Sequence, residues 1–147
     1  MLSFIIPAHN EEDSVAATIR AIGAAAASAG ATHEIVVVDD ASTDRTGERA
    51  ATAGARVVRA TLRHIAAARN LGAHAAEGRI FVFVDADTLL GADVVAGLCR
   101  AMARGAVGGG AAVCFDEPTP RWVKWLLPAS LWLARRLRIT GLSLIHI

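Results

Sequence analysis

The stretch Ile80-Phe81-Val82-Phe83-Val84-Asp85-Ala86-Asp87-Thr88 decides the fold. Five apolar residues, all β-branched or aromatic, run into two carboxylates one residue apart. A continuous apolar run of this kind predicts a strand buried on both faces, as found in parallel sheets covered by helices. Acids at the carboxyl end of such a strand sit where open α/β sheets bind ligands. Asp-x-Asp offers hard oxygen donors, which suit a divalent cation that keeps phosphate oxygens in its shell. Two acids ending a buried strand are costly without a partner, so Asp85 and Asp87 read as functional rather than as turn residues.

Working outward, the preceding residues His64–Ala76 predict a helix. Ala68, Gly72 and Ala75 make one side of it small enough to lie close to a sheet, and Gly78 is expected to cap it. Arg56–Arg59 is a short strand. Glu34–Val38 is another, ending in Asp39-Asp40-Ala41-Ser42-Thr43-Asp44. Ser42, Thr43 and Asp44 are capping types, and the helix they start runs to about Ala53 and stops at Gly54. At the N-terminus, Leu2–Ile6 is a strand stopped by Pro7. Asn10 is the expected N-cap of a helix over 11–29, with Glu11, Glu12 and Asp13 in its first turn and Gly30 at its end. Val15, Ile19, Ile22 and Ala26 form its core face. Beyond Asp87, a helix led by Gly91 carries Val94, Leu98 and Met102 on one face, and a strand is expected at Ala111–Phe115. Strand and helix alternate, which predicts an α/β fold: a mostly parallel sheet with helices on both faces. Parallel topology brings the loops 7–12, 39–44 and 85–88 to one edge. There Pro7–Glu12 offers a helix start, Asp39 and Asp40 offer acceptors for a base or ribose, and Asp85 and Asp87 offer metal ligands. Arg69 and Asn70 lie on a helix leading to the same edge. Arg69 could grip a diphosphate through its planar fork or be an exposed surface residue.

With 147 residues and 54% apolar content, the chain can build a domain with a real core. A net charge of +1 argues against a general nucleic-acid binder. The charge is uneven: residues 1–120 hold all 14 acids and 10 of 15 basic residues, whereas 121–147 hold five basic residues and no acid. Cys99 and Cys114 are isolated and read as reduced, buried thiols of a cytoplasmic protein. The five histidines lack zinc-type spacing, and His64 reads as a surface or capping residue. No signal peptide is evident at the N-terminus.

Two Asp-rich alternatives fail on spacing. Receiver domains need their acid pair on the first strand and a Lys near the fifth, but the only Lys here is Lys124. Haloacid-dehalogenase phosphatases use Asp-x-Asp-x-Thr on an early strand, but Leu89 stands where that Thr is required. A nucleotidyltransferase would open with a Gly-rich basic phosphate loop, and Pro7–Glu12 has neither Gly nor a basic residue.

Four motifs occur in order: Phe4-Ile5-Ile6-Pro7-Ala8-His9-Asn10-Glu11-Glu12, Val36-Val37-Val38-Asp39-Asp40-Ala41-Ser42-Thr43-Asp44-Arg45-Thr46, Ala68-Arg69-Asn70-Leu71-Gly72 and Asp85-Ala86-Asp87. Over residues 2 to about 115 the chain resembles the nucleotide-sugar half of a family 2 glycosyltransferase. His9 departs from the commoner Tyr. The resemblance implies a Rossmann-like GT-A fold and a metal-dependent, inverting transfer of sugar from a UDP- or GDP-sugar to an acceptor hydroxyl. It implies that Pro7, Ala8 and Glu11 border the nucleotide, with Asp40 on the base and Asp39 beside it. Arg69, Asp85 and Ala86 complete the donor site, and Asp87, helped by Asp85, binds Mg²⁺ or Mn²⁺.

The family takes its carboxylate base from a later acidic motif, and here nothing after Glu117 is acidic. The expectation is therefore a donor-binding half-domain over 1–118 of a C-terminally truncated chain. Alone, such a fragment would bind nucleotide and metal without transferring sugar. Residues 119–147 are then the start of an acceptor half, or a segment at a membrane interface. Trp122, Trp125 and Trp132 alternate there with Arg121, Lys124, Arg135, Arg136 and Arg138. The uncharged run Trp125–Ala134 is too short to span a bilayer. Peripheral contact through 119–139 on the inner membrane face, and a lipid-linked acceptor, would fit it.

Overall fold

The computed structural model describes residues 1–111. In chain order these form β1 (Leu2–Ala8), α1 (Val15–Ser28), β2 (His33–Asp40), α2 (Thr46–Thr52), β3 (Arg56–Ala60), α3 (Ile65–Ala75), β4 (Ile80–Phe83) and α4 (Ala92–Ala103). The strands make one parallel sheet in the order β3-β2-β1-β4. Ile5 of β1 faces Val36 of β2 and Phe83 of β4 in register. The chain winds from β1 to β3 on one side, then crosses back so that β4 lies beside β1. That reversal makes the carboxyl end of β1 a topological switch point, where such sheets open a crevice.

The central strands explain the burial. Phe4, Ile5 and Ile6 of β1 and Val36, Val37 and Val38 of β2 are fully inaccessible. Phe4, Ile6 and Val37 pack with Val15, Ile19 and Ile22 of α1 and with Val95 and Leu98 of α4. The opposite face, with Ile5 and Val38, receives α3 at Gly72, where a Cβ would strike the Ile5 and Val38 side chains. The small-residue side expected of this helix is thus a close-approach surface, and Ala68 and Gly72 are its buried members.

Several local expectations are corrected. The run from Ile80 is not a strand buried on both faces: among the described residues β4 has a neighbour on one side only, and Phe81 is 36% exposed. The doubly buried strands are β1 and β2. β1 does not stop at Pro7 but runs through it to Ala8, with Pro7 opposite Val38. The β1–β4 ladder has ended by then, at Val84 N–H to the Ile5 carbonyl, so a missing Pro7 N–H on that side breaks no bond. Asn10 does not cap α1. It adopts φ +56°, and the helix begins at Val15 after a turn in which Ser14 and Val15 N–H donate to the Glu11 carbonyl. Glu11, Glu12 and Asp13 therefore precede the helix. Nor do Ser42, Thr43 or Asp44 occupy the N-cap of α2, which is Arg45. Gly78 does not end α3, whose C-cap is Ala76; its N–H donates to Ser3 Oγ and Glu34 Oε1. Gly30 and Gly54 do follow their helices in the left-handed conformation, at φ +63° and +97°. Cys99 is half-buried against the core. The strand at Ala111–Phe115, Cys114, and the 119–147 segment lie outside the described residues.

Candidate functional site

The three strand-end loops do converge. A cleft of about 470 Å³ opens at the carboxyl end of the sheet, lined chiefly by Pro7, Glu11, Asp40, His64, Asp85 and Asp87, with Ala8 and Ala86 in its wall. Asp40 and Asp85 both reach it because both lie on the α3 side of the sheet. Asp40 shares its strand face with Val36 and Val38, whereas Asp39, one residue earlier, points the other way. Asp39 Oδ1 accepts the Ser42 N–H at 3.3 Å, and Asp39 belongs to a separate depression with Arg45, Glu48 and Arg59. The structure thus brings one of the two expected acceptors to the cleft and leaves Asp39 outside it.

The Asp85-Ala86-Asp87 turn closes through Thr88 N–H to the Asp85 carbonyl at 3.1 Å. It is tied to α1 by Thr18, whose buried hydroxyl donates to the Ala86 carbonyl at 2.8 Å. Arg69 does not line the cleft directly. Its Nη2 binds Asp85 Oδ1 at 2.7 Å, which fixes one carboxylate oxygen, and its buried Nε has no partner among the described residues. Asp87 is exposed and makes no hydrogen bond to the described residues. A free carboxylate beside an oriented one is a donor set that fits a hard divalent cation. Among the described residues no third His, Cys, Asp or Glu joins them, so a cation here needs ligand or water oxygens to fill its shell.

The two loops on the other side are stitched together. Asn10 N–H donates to Ser42 Oγ at 3.0 Å, and Asn10 Oδ1 accepts Thr43 N–H at 2.8 Å. Glu11 N–H donates to Thr46 Oγ1 at 2.8 Å, and Glu12 N–H to Asp44 Oδ2 at 3.2 Å. Burial would raise the Asp44 carboxyl, but donors from Thr46 and Glu12 outweigh it and hold the group below its ordinary value. Asp40, 6% exposed, behaves likewise. Burial pushes its carboxyl up, and the backbone N–H groups of Arg63, Leu62 and His64, with the His9 imidazole, bring it below the usual range. His64 is the N-cap of α3, its Nδ1 accepting from Ala67 N–H at 3.3 Å, so the expected capping role holds.

Sequence reasoning missed Thr18, Arg63 and the contribution of His9, whose Nδ1 lies 2.7 Å from the Asp40 carbonyl. Thr18 did carry a signal: it is a hydroxyl within the buried stripe of α1, between Val15 and Ile22.

The model of the family described as Glycosyl transferase family 2 matches residues 3–145. The chain belongs to that family. Its sheet and helices are those of the GT-A fold, as the recurrence of the motifs implied. The undecaprenyl-phosphate 4-deoxy-4-formamido-L-arabinose transferase of Edwardsiella ictaluri is 37% identical over 98 residues, which cover 58% of this chain and 29% of that protein. The chain thus spans under a third of the length of the transferases it matches. Mannosyl-3-phosphoglycerate synthase from Rubrobacter xylanophilus superposes with a TM-score of 0.63 at 25% identity, over 76% of this chain and 40% of that one. Glucosyl-3-phosphoglycerate synthase from Mycobacterium tuberculosis, solved with Mn²⁺, UDP and glucosyl-3-phosphoglycerate, gives 0.55 at 32% identity, over 69% and 39%.

Proposed function

We propose that this family 2 chain binds the nucleoside-diphosphate-sugar donor of a metal-dependent, inverting sugar transfer. The observation that carries this reading is the meeting of Glu11, Asp40, Asp85 and Asp87 in one cleft at the switch point of the sheet. The Mn²⁺–UDP complex of the M. tuberculosis synthase supports the ligand class.

In this reading Pro7, Ala8 and Glu11 border the nucleotide, the Asp40 end receives the nucleoside, and the Asp85–Asp87 end receives the diphosphate. Asp87, with the free oxygen of Asp85, would hold Mg²⁺ or Mn²⁺. That cation would offset the charge developing on the departing diphosphate. Arg69 keeps Asp85 oriented, and Thr18 keeps the Ala86 backbone in place. The named activity of the E. ictaluri relative supports a lipid-linked acceptor. With a hydroxyl acceptor the transfer needs a base to take the proton. With a lipid phosphate the attacking oxygen is already ionised near neutral pH. It bonds to the anomeric carbon while the nucleoside diphosphate leaves with the electrons of the old bond.

Calorimetric titration of UDP and GDP, with and without Mn²⁺, on this chain and on Asp87→Ala tests the reading. Metal-dependent binding that the variant loses is expected. A folded chain that binds neither nucleotide would refute it.

A further inference from the structure

Ser14 stands at the N-cap of α1 and is of a type that caps well, yet its side chain makes no capping hydrogen bond. A capping Ser usually has an extended backbone, which aims its hydroxyl at the amides two and three residues on. Ser14 instead lies at φ −105° and ψ −39°, in the helical region. The turn before it extends the helix ladder. The Glu11 carbonyl accepts the Ser14 and Val15 N–H groups at 3.2 and 3.0 Å, and the Ser14 carbonyl accepts those of Ala17 and Thr18.

The Ser14 hydroxyl is spent on a residue of the cleft. Its Oγ donates to Glu11 Oε2 at 2.8 Å and lies 3.4 Å from the Glu11 carbonyl. Among the described residues no other group bonds to that carboxylate. Glu11 lines the cleft and is half-buried. Its backbone is held from α2: its N–H donates to the buried Thr46 hydroxyl, and Arg49 Nη1 donates to the next carbonyl, that of Glu12, at 2.8 Å. Backbone and one carboxylate oxygen are therefore fixed, and Oε1 is left to accept from a ligand. A residue that forgoes its local role beside a cleft is expected where function sets the geometry.

We propose that Ser14 is a positioning residue of the donor site, holding the Glu11 carboxylate in its binding rotamer before the nucleotide arrives. The inference rests on the donor-site reading above, in which Glu11 borders the nucleotide. A Glu side chain that must be ordered during binding weakens affinity about three- to tenfold, and Ser14 removes that cost.

The test is calorimetric melting, and titration of UDP with and without Mn²⁺, on the whole chain and on Ser14→Ala, Ser14→Thr, Ser14→Asp, Glu11→Ala and the double variant Ser14→Ala/Glu11→Ala. Ser14→Ala should melt with the parent and bind UDP about three- to tenfold more weakly. The Mn²⁺-dependent gain should persist in it, because the hydroxyl bonds to Glu11 and not to the Asp85–Asp87 turn. Ser14→Thr keeps the donor and should restore affinity. Ser14→Asp suits the positive end of α1 but repels Glu11, so it should hold the midpoint and bind UDP more weakly still. In the Glu11→Ala background, Ser14→Ala should cost nothing further. A Ser14→Ala chain that melts lower and binds UDP like the parent makes Ser14 an ordinary cap and overturns the inference. Equal losses with and without Glu11 overturn it too, and both results leave the donor site standing. A folded, unaltered chain that binds no UDP or GDP overturns the donor-site reading as well.

Discussion

Thr18→Val removes one hydroxyl from beneath the Asp85–Asp87 turn and keeps the side-chain shape. Thr18 is fully buried in α1, and its Oγ1 is the 2.8 Å donor to the Ala86 carbonyl. Ala86 is itself 5% exposed, so water cannot readily replace the lost donor. An orphaned buried carbonyl costs about 1–3 kcal/mol. The methyl that replaces the hydroxyl returns up to about 0.8 kcal/mol of apolar burial. With the methyl's full return the net loss reaches about 2 kcal/mol, which lowers the thermal midpoint by up to about 8 °C for a chain of this size. The turn should also loosen, so Mn²⁺-dependent UDP binding should weaken more than metal-free binding. Thr18→Ser keeps the donor and should recover the metal effect. Calorimetric melting and titration of the three proteins provide the measurement. A Thr18→Val chain that melts with the parent and binds Mn²⁺ and UDP equally well would refute the claim that this hydrogen bond holds the turn.

Glu34, at the opposite end of the sheet, accepts from Ser3 Oγ, Arg56 Nη2 and the N–H groups of Glu77 and Gly78. Burial raises its carboxyl, but these four donors prevail and lower it from 4.5 to about 2. A depressed folded value contributes stability above pH 4.5 that is lost as the pH falls toward 2. Glu34→Gln should therefore cost about 1–2 kcal/mol near neutral pH, allowing for solvent screening at this rim. The gap to the parent should close in melts taken between pH 4.5 and 2; a gap independent of pH would count against the assignment. Asp87→Ala should abolish the Mn²⁺-dependent gain in nucleotide binding without lowering the melting temperature, since Asp87 bonds to none of the described residues. Asp85→Ala should abolish that gain and also lower the melting temperature, because it strands the half-buried Arg69 guanidinium. Equal stability of the two variants would contradict the ion pair. Deleting 119–147 should abolish binding to anionic vesicles, and undiminished sedimentation with them would exclude membrane contact through that segment.

Much of this was legible in the chain because it is written locally. The apolar runs of β1 and β2, the left-handed glycines after α1 and α2, and the small face of α3 each follow from residue type and spacing. What failed was the assignment of polar side chains to local work. Asn10 looks like a helix cap, yet its side chain binds Thr43 thirty-three positions away. Ser, Thr, Asn and Asp can serve neighbouring or distant backbone equally well, and only the approach of two loops decides between them. Gly78 looks like a helix stop, yet it lies where a Cβ would strike Ser3 of β1.

The sequence by itself determined that acids end the strands of a parallel sheet and that a metal-suited pair follows β4. It could not determine which acid of Asp39 and Asp40 faces the cleft. A strand buried on both faces is apolar at every position, so Ile35 to Val38 carry no alternation from which its phase can be read. The placement of α3 against the Ile5 and Val38 face, with Gly72 in contact, set that phase. It turned Asp40 toward the loop at Arg63 and Asp39 toward α2, because adjacent residues of a strand must point to opposite sides.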